Sequence, residues 1–158
     1  MNQLIYHDAV DKTGWPDGPW LHEPDKIQWV DADTGLDCLI VRGPVGALCG
    51  YVGVSAGHPA HGIGCSQVTV PTDVHGGLTY ADACDEDAAE ATGICHIPFE
   101  GRPRDVWWLG FDCSHFDDYC PGYPGRLDLG RAQVYRNVDY VRLECAVLAV
   151  QLESAVPA

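Results

Sequence analysis

The chain has 158 residues, which fits one domain that buries roughly two-thirds of the surface exposed by its unfolded form. Its 9 Lys and Arg stand against 23 Asp and Glu, and the formal charge of −14 excludes polymeric nucleic acid and anionic lipid surfaces as partners. No segment approaches the roughly 20 apolar residues of a membrane span, and the N-terminal residues do not resemble a signal peptide. We therefore expect a cytoplasmic protein with no membrane partner.

The N-terminal region, residues 1–25, is rich in Gly and Pro and contains Trp15 and Trp20. The frequent Gly and Pro residues rule out a regular helix or a central strand, so we predict an ordered loop held by the two tryptophans. Apolar runs joined by short turns follow, and they predict an antiparallel meander. These runs cover residues 26–30, 37–42 and 47–54.

The middle of the chain predicts further strands separated by longer loops. A strand is expected from His75 to Tyr80, and a short edge strand over residues 94–98. The acidic stretch 82–93 between them reads as a loop or one helical turn. A strand over 107–113 follows, and the Pro, Gly and Tyr segment 119–134 is long enough to act as a lid.

The chain closes with its clearest helix, predicted over residues 138–153. Asn137 is a suitable N-cap, and Asp139 stands in the first turn, where the helix dipole favours negative charge. An apolar stripe repeats at helical spacing, formed by Val141, Cys145, Leu148 and Leu152. We predict a single α+β domain over residues 1–158, a mostly antiparallel sheet with the C-terminal helix packed on one face.

Eight cysteines occur without an export signal, so a disulfide framework is not expected. Several fall inside apolar patterns, where a free cysteine usually serves as a small buried hydrophobe. The ones assigned to the core in this way are Cys38, Cys49, Cys113 and Cys145.

The strand-like run over residues 105–115 carries an ionisable group where a core strand should stay apolar. Alternation sends Trp107, Leu109, Phe111 and Cys113 to one face, and Trp108, Gly110, Asp112 and Ser114 to the other. The first face reads as core. The second combines an aromatic ring, a gap at a glycine and a carboxylate, as a small pocket does.

Neighbouring strands add groups to that second face. We predict a ligand-binding site formed by Tyr51, His75, Gly76, Gly77, Thr79, Trp108, Asp112 and His115. Within it, His75, Asp112 and His115 are the candidate catalytic residues. Structural roles stay open for single members, since Asp112 also suits a turn cap, His75 a turn, and Tyr51 the sheet surface.

A metal site of His and Asp ligands can be drawn from His75, Asp112, His115, Asp117 and Asp118. The spacing matches no known metal motif, so we assign no metal ligand and expect no cofactor. A thiol nucleophile is disfavoured because Cys113 faces the predicted core. The phosphate-binding loop, the dinucleotide fingerprint and the serine nucleophile elbow are absent from the sequence.

Motifs are spread over nearly the whole chain, among them Gly18-Pro-Trp20, Val74-His-Gly-Gly-Leu-Thr-Tyr80, Val106-Trp-Trp-Leu-Gly-Phe-Asp-Cys-Ser-His115 and Tyr135-Arg136. Together they resemble a family of small phage- and prophage-encoded proteins that has no settled activity. The resemblance implies a viral accessory protein, located in the cytoplasm of the host cell, of the kind that counters host defence.

Three hypotheses of function follow. The first is capture of a small polar, nucleotide-like ligand, with local positive charge from Arg102, Arg104, Arg126 or Arg131. The second is a hydrolase that acts on such a ligand by His and Asp acid–base chemistry. The third is a module that binds a host protein through the tryptophan-rich N-terminal loop. The sequence leaves homo-oligomer formation open.

Overall fold

The computed structural model describes residues 2–125 and 132–157. Within these ranges, six strands form one sheet and a single α-helix packs on it. The elements are β1 (Gln3–Tyr6), β2 (Lys26–Val30), β3 (Asp37–Arg42), β4 (Leu48–Ser55), β5 (Tyr80–Ala83), β6 (Val106–Asp112) and α1 (Val138–Ser154).

All strand pairs are antiparallel, in the order β1-β2-β3-β4-β6-β5. The predicted α+β domain, with a meander and a C-terminal helix on one face, is confirmed. None of the helices in the described ranges is long and apolar enough to cross a membrane.

Two predicted strands are wrong in detail. The run that begins at His75 forms a turn first, and only Tyr80–Ala83 pairs with β6. The reason is local, because Gly76 and Gly77 adopt φ values of +69° and +80°, which a strand does not accommodate. The edge strand expected over 94–98 is irregular.

Both faces of the central strands are covered, and every residue of β3 is buried. The face toward α1 carries the larger core, which includes Leu109, Phe111 and the apolar stripe of the helix. The opposite face carries a second apolar cluster, formed by Leu39, Val41, Tyr51, Val106 and Trp108. A face that the sequence assigned to a ligand is therefore interior.

The loop over residues 84–97 lies against this second cluster and is held by two buried polar side chains of β2. Lys26 Nζ donates to the carbonyl oxygens of Glu90 and Gly93, the latter at 2.7 Å. Gln28 exchanges two hydrogen bonds with the backbone of Ile97. The acidic stretch is thus a loop, fixed to the sheet through its main chain.

The cysteine expectations are partly confirmed. Cys38, Cys113 and Cys145 are buried free thiols, whereas Cys49 is only half-buried. Cys84 and Cys95 form a disulfide with a Cα–Cα distance of 4.5 Å. The sequence predicts no disulfide framework and does not single out this pair, which forms because β5 and the 84–97 loop bring the two residues side by side.

The loop predicted over residues 1–25 is wrong at Gln3–Tyr6, which form the edge strand β1, and in the remaining loop Trp20 is buried between Tyr119 and Tyr135. A buried ion pair anchors the same loop. The Asp25 carboxylate accepts from Arg42 Nε at 2.7 Å and from the backbone amides of Ala9 and Val10. Both charged side chains are fully enclosed.

Lys12 adds a second cation on Asp25, with its Nζ 2.8 Å from Oδ1. Burial alone would raise the pKa of Asp25, but the hydrogen bonds from Lys12 and Arg42 outweigh that effect and lower it. The carboxylate is therefore charged at neutral pH and compensates the buried guanidinium.

Replacing Asp25 with Asn leaves the Arg42 guanidinium buried without its counter-ion. We expect the free energy of unfolding to fall by about 3 kcal/mol, the range for breaking a buried ion pair. Urea denaturation measures this change, and the exposed Asp17→Asn is the matched control, expected within about 0.5 kcal/mol of the parent. A loss below about 1 kcal/mol in Asp25→Asn would show that the pair does not anchor the loop.

Candidate functional site

A buried carboxylate organises a polar cluster beside the N-terminal end of α1. Asp118 is 1% exposed and accepts from His75 Nε2 at 2.9 Å, from Arg136 Nε at 2.9 Å and from the backbone amide of His115 at 2.9 Å. These donors come from a turn, a loop and the segment before the helix. Asp118 therefore holds three separate parts of the chain together.

The state of Asp118 follows from its partners. Burial would raise the pKa of this carboxyl, but the hydrogen bonds from His75, Arg136 and the His115 amide prevail and lower it. A carboxylate only accepts hydrogen bonds, so His75 Nε2 must carry a proton.

The other ring nitrogen of His75, Nδ1, lies 2.8 Å from the Tyr140 hydroxyl. In the neutral imidazole Nδ1 is the acceptor, so the Tyr140 hydroxyl donates to it. Burial raises the pKa of Tyr140, and the charge of Glu144 adds to the effect, so the hydroxyl keeps its proton at neutral pH. Asp118, His75 and Tyr140 thus form a directional chain of hydrogen bonds.

Helix α1 positions the Tyr140 end of this chain. Asn137 caps the helix by accepting from the backbone amide of Tyr140 at 2.9 Å, as the sequence predicts. Glu144 is one turn further on, on the same side of the helix, and its Oε1 accepts from the backbone amide of His75 at 2.9 Å. The histidine is held through both its ring and its main chain.

A second histidine and a second carboxylate lie next to the first pair. His115 Nε2 is 3.6 Å from Asp112 Oδ1, and the rings of His115 and His75 are 5.7 Å apart between centroids. Asp112 also accepts from the hydroxyls of Thr79, at 2.8 Å, and Ser114. The His115 side chain is 38% exposed, although its Nε2 atom, which faces Asp112, is buried.

Hydrogen bonding also sets the charge of Asp112. Burial would raise its pKa, but the bonds from Ser114 and Thr79 and the charge of His115 lower it. The Ser114 backbone amide donates to the same carboxylate at 3.3 Å. Asp112 therefore caps the turn after β6 and at the same time faces a histidine.

The tandem glycines serve different purposes. A Cβ on Gly76 would lie 2.1 Å from His115 Nε2, whereas a Cβ on Gly77 would meet nothing within 4 Å. Gly76 thus lets the second histidine approach the turn that carries the first. The main chain at Gly76, predicted to contact a ligand, is therefore approached by a side chain of the same protein.

The structure brings together five of the residues predicted for the site, namely His75, Gly76, Thr79, Asp112 and His115. It does not bring the aromatic residues to them. Trp108 is 0% exposed in the second apolar cluster, where it offers no surface to a ligand, and its Nε1 donates to Cys84 Sγ. The assignment of Trp108 to ligand stacking is therefore wrong.

Trp107, predicted to be in the core, is less buried than Trp108, which was predicted to contact a ligand. Trp107 points toward the helix face, as the alternation predicts, but it is only half-buried, and its Nε1 donates to the Ile63 carbonyl oxygen. Tyr51, also predicted to contact a ligand, is 6% exposed. A Cβ on Gly110 would lie 2.3 Å from Tyr51 Cδ1, so the tyrosine ring itself fills the predicted gap.

Sequence reasoning missed the side chains that hold His75. Asp118 was considered only as a metal ligand, and Arg136, Tyr140 and Glu144 were given no part in the site. The i, i+4 spacing of Tyr140 and Glu144 was the signal in the sequence, since it places two polar groups on one side of the helix. Their partner is 65 to 69 residues away in the chain.

Other sequence hypotheses find less support at this cluster. Among the described residues, three potential metal-ligand atoms come within 4.8 Å of one another only at Cys84, Cys95 and His96, away from the two histidine pairs. Arg102 is paired with Asp37. Arg126 and Arg131, like much of the predicted lid over 119–134, lie outside the described residues.

Comparisons with models of known protein families, with curated proteins and with solved structures find no match. The resemblance to phage-encoded proteins stays a prediction. The chemistry of the two histidine–carboxylate pairs, which we call the two-histidine cluster, is therefore the basis for a functional proposal.

The lowered pKa of Asp118 makes stability depend on pH. The unfolded chain, with a carboxyl pKa of about 3.9, binds the proton more readily, so the stabilisation is complete above that value and is lost as the pH falls through the lower folded pKa. Asp118→Asn should lower the free energy of unfolding at pH 7 by about 3 kcal/mol and flatten its pH dependence between about pH 2 and 5.

Urea unfolding at a series of pH values measures both effects. The exposed Asp33→Asn serves as the control and should keep the slope of the parent protein. An unchanged slope in Asp118→Asn would mean that this carboxylate is not the acid-sensitive group.

The two glycines provide a matched pair of variants. Gly76→Ala and Gly77→Ala each place a side chain at positive φ, which costs roughly 1–2 kcal/mol. Only the first pushes a methyl group into the His115 ring. We expect the imidazole NMR signals of His115 to shift in Gly76→Ala and to stay in place in Gly77→Ala. Equal shifts in both variants would count against the close approach.

Proposed function

We propose that the protein is a hydrolase that uses the two-histidine cluster for acid–base catalysis on a small polar ligand. The observation that carries the proposal is that two histidine rings lie 5.7 Å apart and each faces its own carboxylate. General acid–base catalysis needs one group that takes a proton and one that gives it, both within reach of the same substrate.

His115 is the proposed general base. It is the more exposed of the two histidines, and Asp112 faces its Nε2, so the carboxylate can orient the ring and stabilise the cation that forms when the ring takes a proton from water. Thr79 and Ser114 hold Asp112 in place for this task.

The Tyr140 hydroxyl is the proposed general acid. It retains its proton at neutral pH. Without a substrate that proton is donated to His75, which Asp118 holds in turn, and in the proposed reaction it turns to the leaving group. Arg136 lies over the Tyr140 ring, 5.1 Å from its centroid. Its guanidinium supplies positive charge beside the hydroxyl, which favours the negative charge that develops on a leaving group.

Nucleotide-like molecules remain the proposed ligand class. The support for it is the resemblance to a phage-encoded family without settled activity, because several other phage proteins act on nucleotide-derived immune signals. Arg136 brings a guanidinium to the cluster, where its charge is paired with Asp118, in a chain whose formal charge is −14. A small molecule that approaches this cluster avoids most of the repulsion that a polymeric nucleic acid would meet.

Capture of the ligand without turnover is the second candidate at the same cluster. The specific observation in its favour is that both ring nitrogens of His75 already have partners within the protein. The third hypothesis, a host-protein module, loses one of its two anchors because Trp20 is buried against Tyr119 and Tyr135.

A turnover assay separates hydrolysis from capture. The purified protein is incubated with a panel of linear and cyclic nucleotides and then denatured, and the released small molecules are analysed. A hydrolase returns product and a capture protein returns intact ligand. If no member of the panel is retained or converted, both candidates fail for this ligand class.

Variants assign the roles if product forms. His115→Gln and Tyr140→Phe should each lower the rate by about 10²- to 10⁴-fold, the usual contribution of an acid or a base. The exposed His22→Gln is the control and should keep the parent rate. Full activity in both site variants would remove the two-histidine cluster from the chemistry.

A further inference from the structure

A second group of reactive side chains lies at the 84–97 loop, on the face of the sheet that points away from α1. Cys84, Cys95 and His96 each offer one ligand atom, and these three atoms lie within 4.8 Å of one another. Cys84 Sγ is 3.7 Å from His96 Nδ1, and His96 is 3% exposed. The proposed hydrolase does not use any of these residues.

The orientation of the His96 ring suits a metal ligand. Its Nε2 lies 3.2 Å from the carbonyl oxygen of Pro103, which only accepts hydrogen bonds. Nε2 therefore carries the proton, and the lone pair of Nδ1 points toward the sulfur of Cys84. Metal-bound histidines usually donate their second ring N–H to a carbonyl or carboxylate in this way.

The surroundings of His96 hold the ring in this orientation, and His96 is 3% exposed. The ring also packs edge-on against buried Trp108, with centroids 5.2 Å apart, which restricts its rotation.

Cys84 receives a hydrogen bond that suits a thiolate. Trp108 Nε1 donates to Cys84 Sγ at 3.3 Å, and hydrogen bonding to a charged form favours that form. The surrounding backbone is fixed, since Lys26 and Gln28 hold the loop on both sides of Cys95. The three ligands are thus placed by the sheet rather than by a free loop.

We propose that Cys84, Cys95 and His96 bind one Zn²⁺ ion when the Cys84–Cys95 disulfide is reduced, and that the disulfide form does not bind it. Two thiolates and an imidazole are a ligand set that zinc accepts, and zinc completes a tetrahedron with a fourth ligand. The site is independent of the two-histidine cluster.

Two groups in the structure can supply the fourth zinc ligand. Cys95 and His96 line a cavity of about 410 Å³ that Asp85 and Glu86 also line. A water molecule in this cavity or one of the two carboxylates can complete the coordination. A water in that position would leave the metal open to a further ligand.

The chemistry balances with a thiol reductant. Two molecules of a small thiol give two electrons and two protons to the disulfide, which yields the Cys84 and Cys95 thiols and one oxidised small-molecule disulfide. Zinc then replaces the two thiol protons, which are released to solvent, and His96 binds as the neutral ring without losing a proton. The oxidised small-molecule disulfide reverses the first step when it takes two electrons back from the Cys84 and Cys95 thiolates. The disulfide forms again and the metal is released.

Zinc titration of the full chain in its two redox forms tests the proposal. One sample is reduced, freed of metal and kept without oxygen, and the other keeps the disulfide. Each is titrated with Zn²⁺ in competition with a chromophoric chelator. We expect one zinc per reduced chain and none in the disulfide form, and Co²⁺ in place of zinc should give a thiolate-to-metal charge-transfer band.

Single variants locate the site. Cys84→Ser, Cys95→Ser and His96→Gln should each weaken zinc binding by at least about tenfold, since each removes a direct ligand. Cys65→Ser is the control, because Cys65 is a half-buried free cysteine outside this group, and it should keep the parent affinity.

Two results would overturn the proposal. One is a reduced parent chain that binds no stoichiometric zinc, which would make the Cys84–Cys95 pair a structural disulfide only. The other is unchanged affinity in the three ligand variants, which would place any bound zinc elsewhere. If the reduced chain unfolds but regains its circular dichroism spectrum with zinc, the proposal is supported, because metal binding then supplies folding energy.

Discussion

The buried carboxylate of Asp118 is the interaction on which the polar cluster depends. A charge in the interior is tolerated only when other groups compensate it, and here the donors are supplied by His75, His115 and Arg136. The three donors are far from one another in the sequence. The buried charge of Asp118 is therefore compensated only when the turn with His75, the loop with His115 and the segment before α1 are all in place. The geometry of both histidines follows from this requirement.

Coverage of the sheet explains where a site can form. Helix α1 occupies one face, and the 84–97 loop, held by Lys26 and Gln28, occupies the other. With both faces used by the core, open polar chemistry moves to the end of β6, where Asp112 and His115 leave the sheet. The proposed zinc ligands Cys84, Cys95 and His96 belong to the 84–97 loop, which covers the second face.

Local periodicity predicted the meander, the cap at Asn137 and the alternation along β6, because each depends on residues close in sequence. It did not predict that Trp108 is interior, since its burial depends on a loop whose anchors in β2 are 64 to 69 residues away. The partner of His75 was missed for the same reason. Asp112 is on the strand and was visible, whereas Asp118 reaches the ring only through the folded chain.

The absence of a side chain at Gly110, which leaves room for the Tyr51 ring, also determines how the strands pair. Tyr51 of β4 and Tyr80 of β5 both oppose this residue, and their rings meet edge to face at 5.3 Å. A slip of either strand by one residue would turn its tyrosine to the other face and place a bulkier neighbour of Gly110 opposite it. The glycine at position 110 therefore fixes the register of β4 and β5 against β6 at the same time.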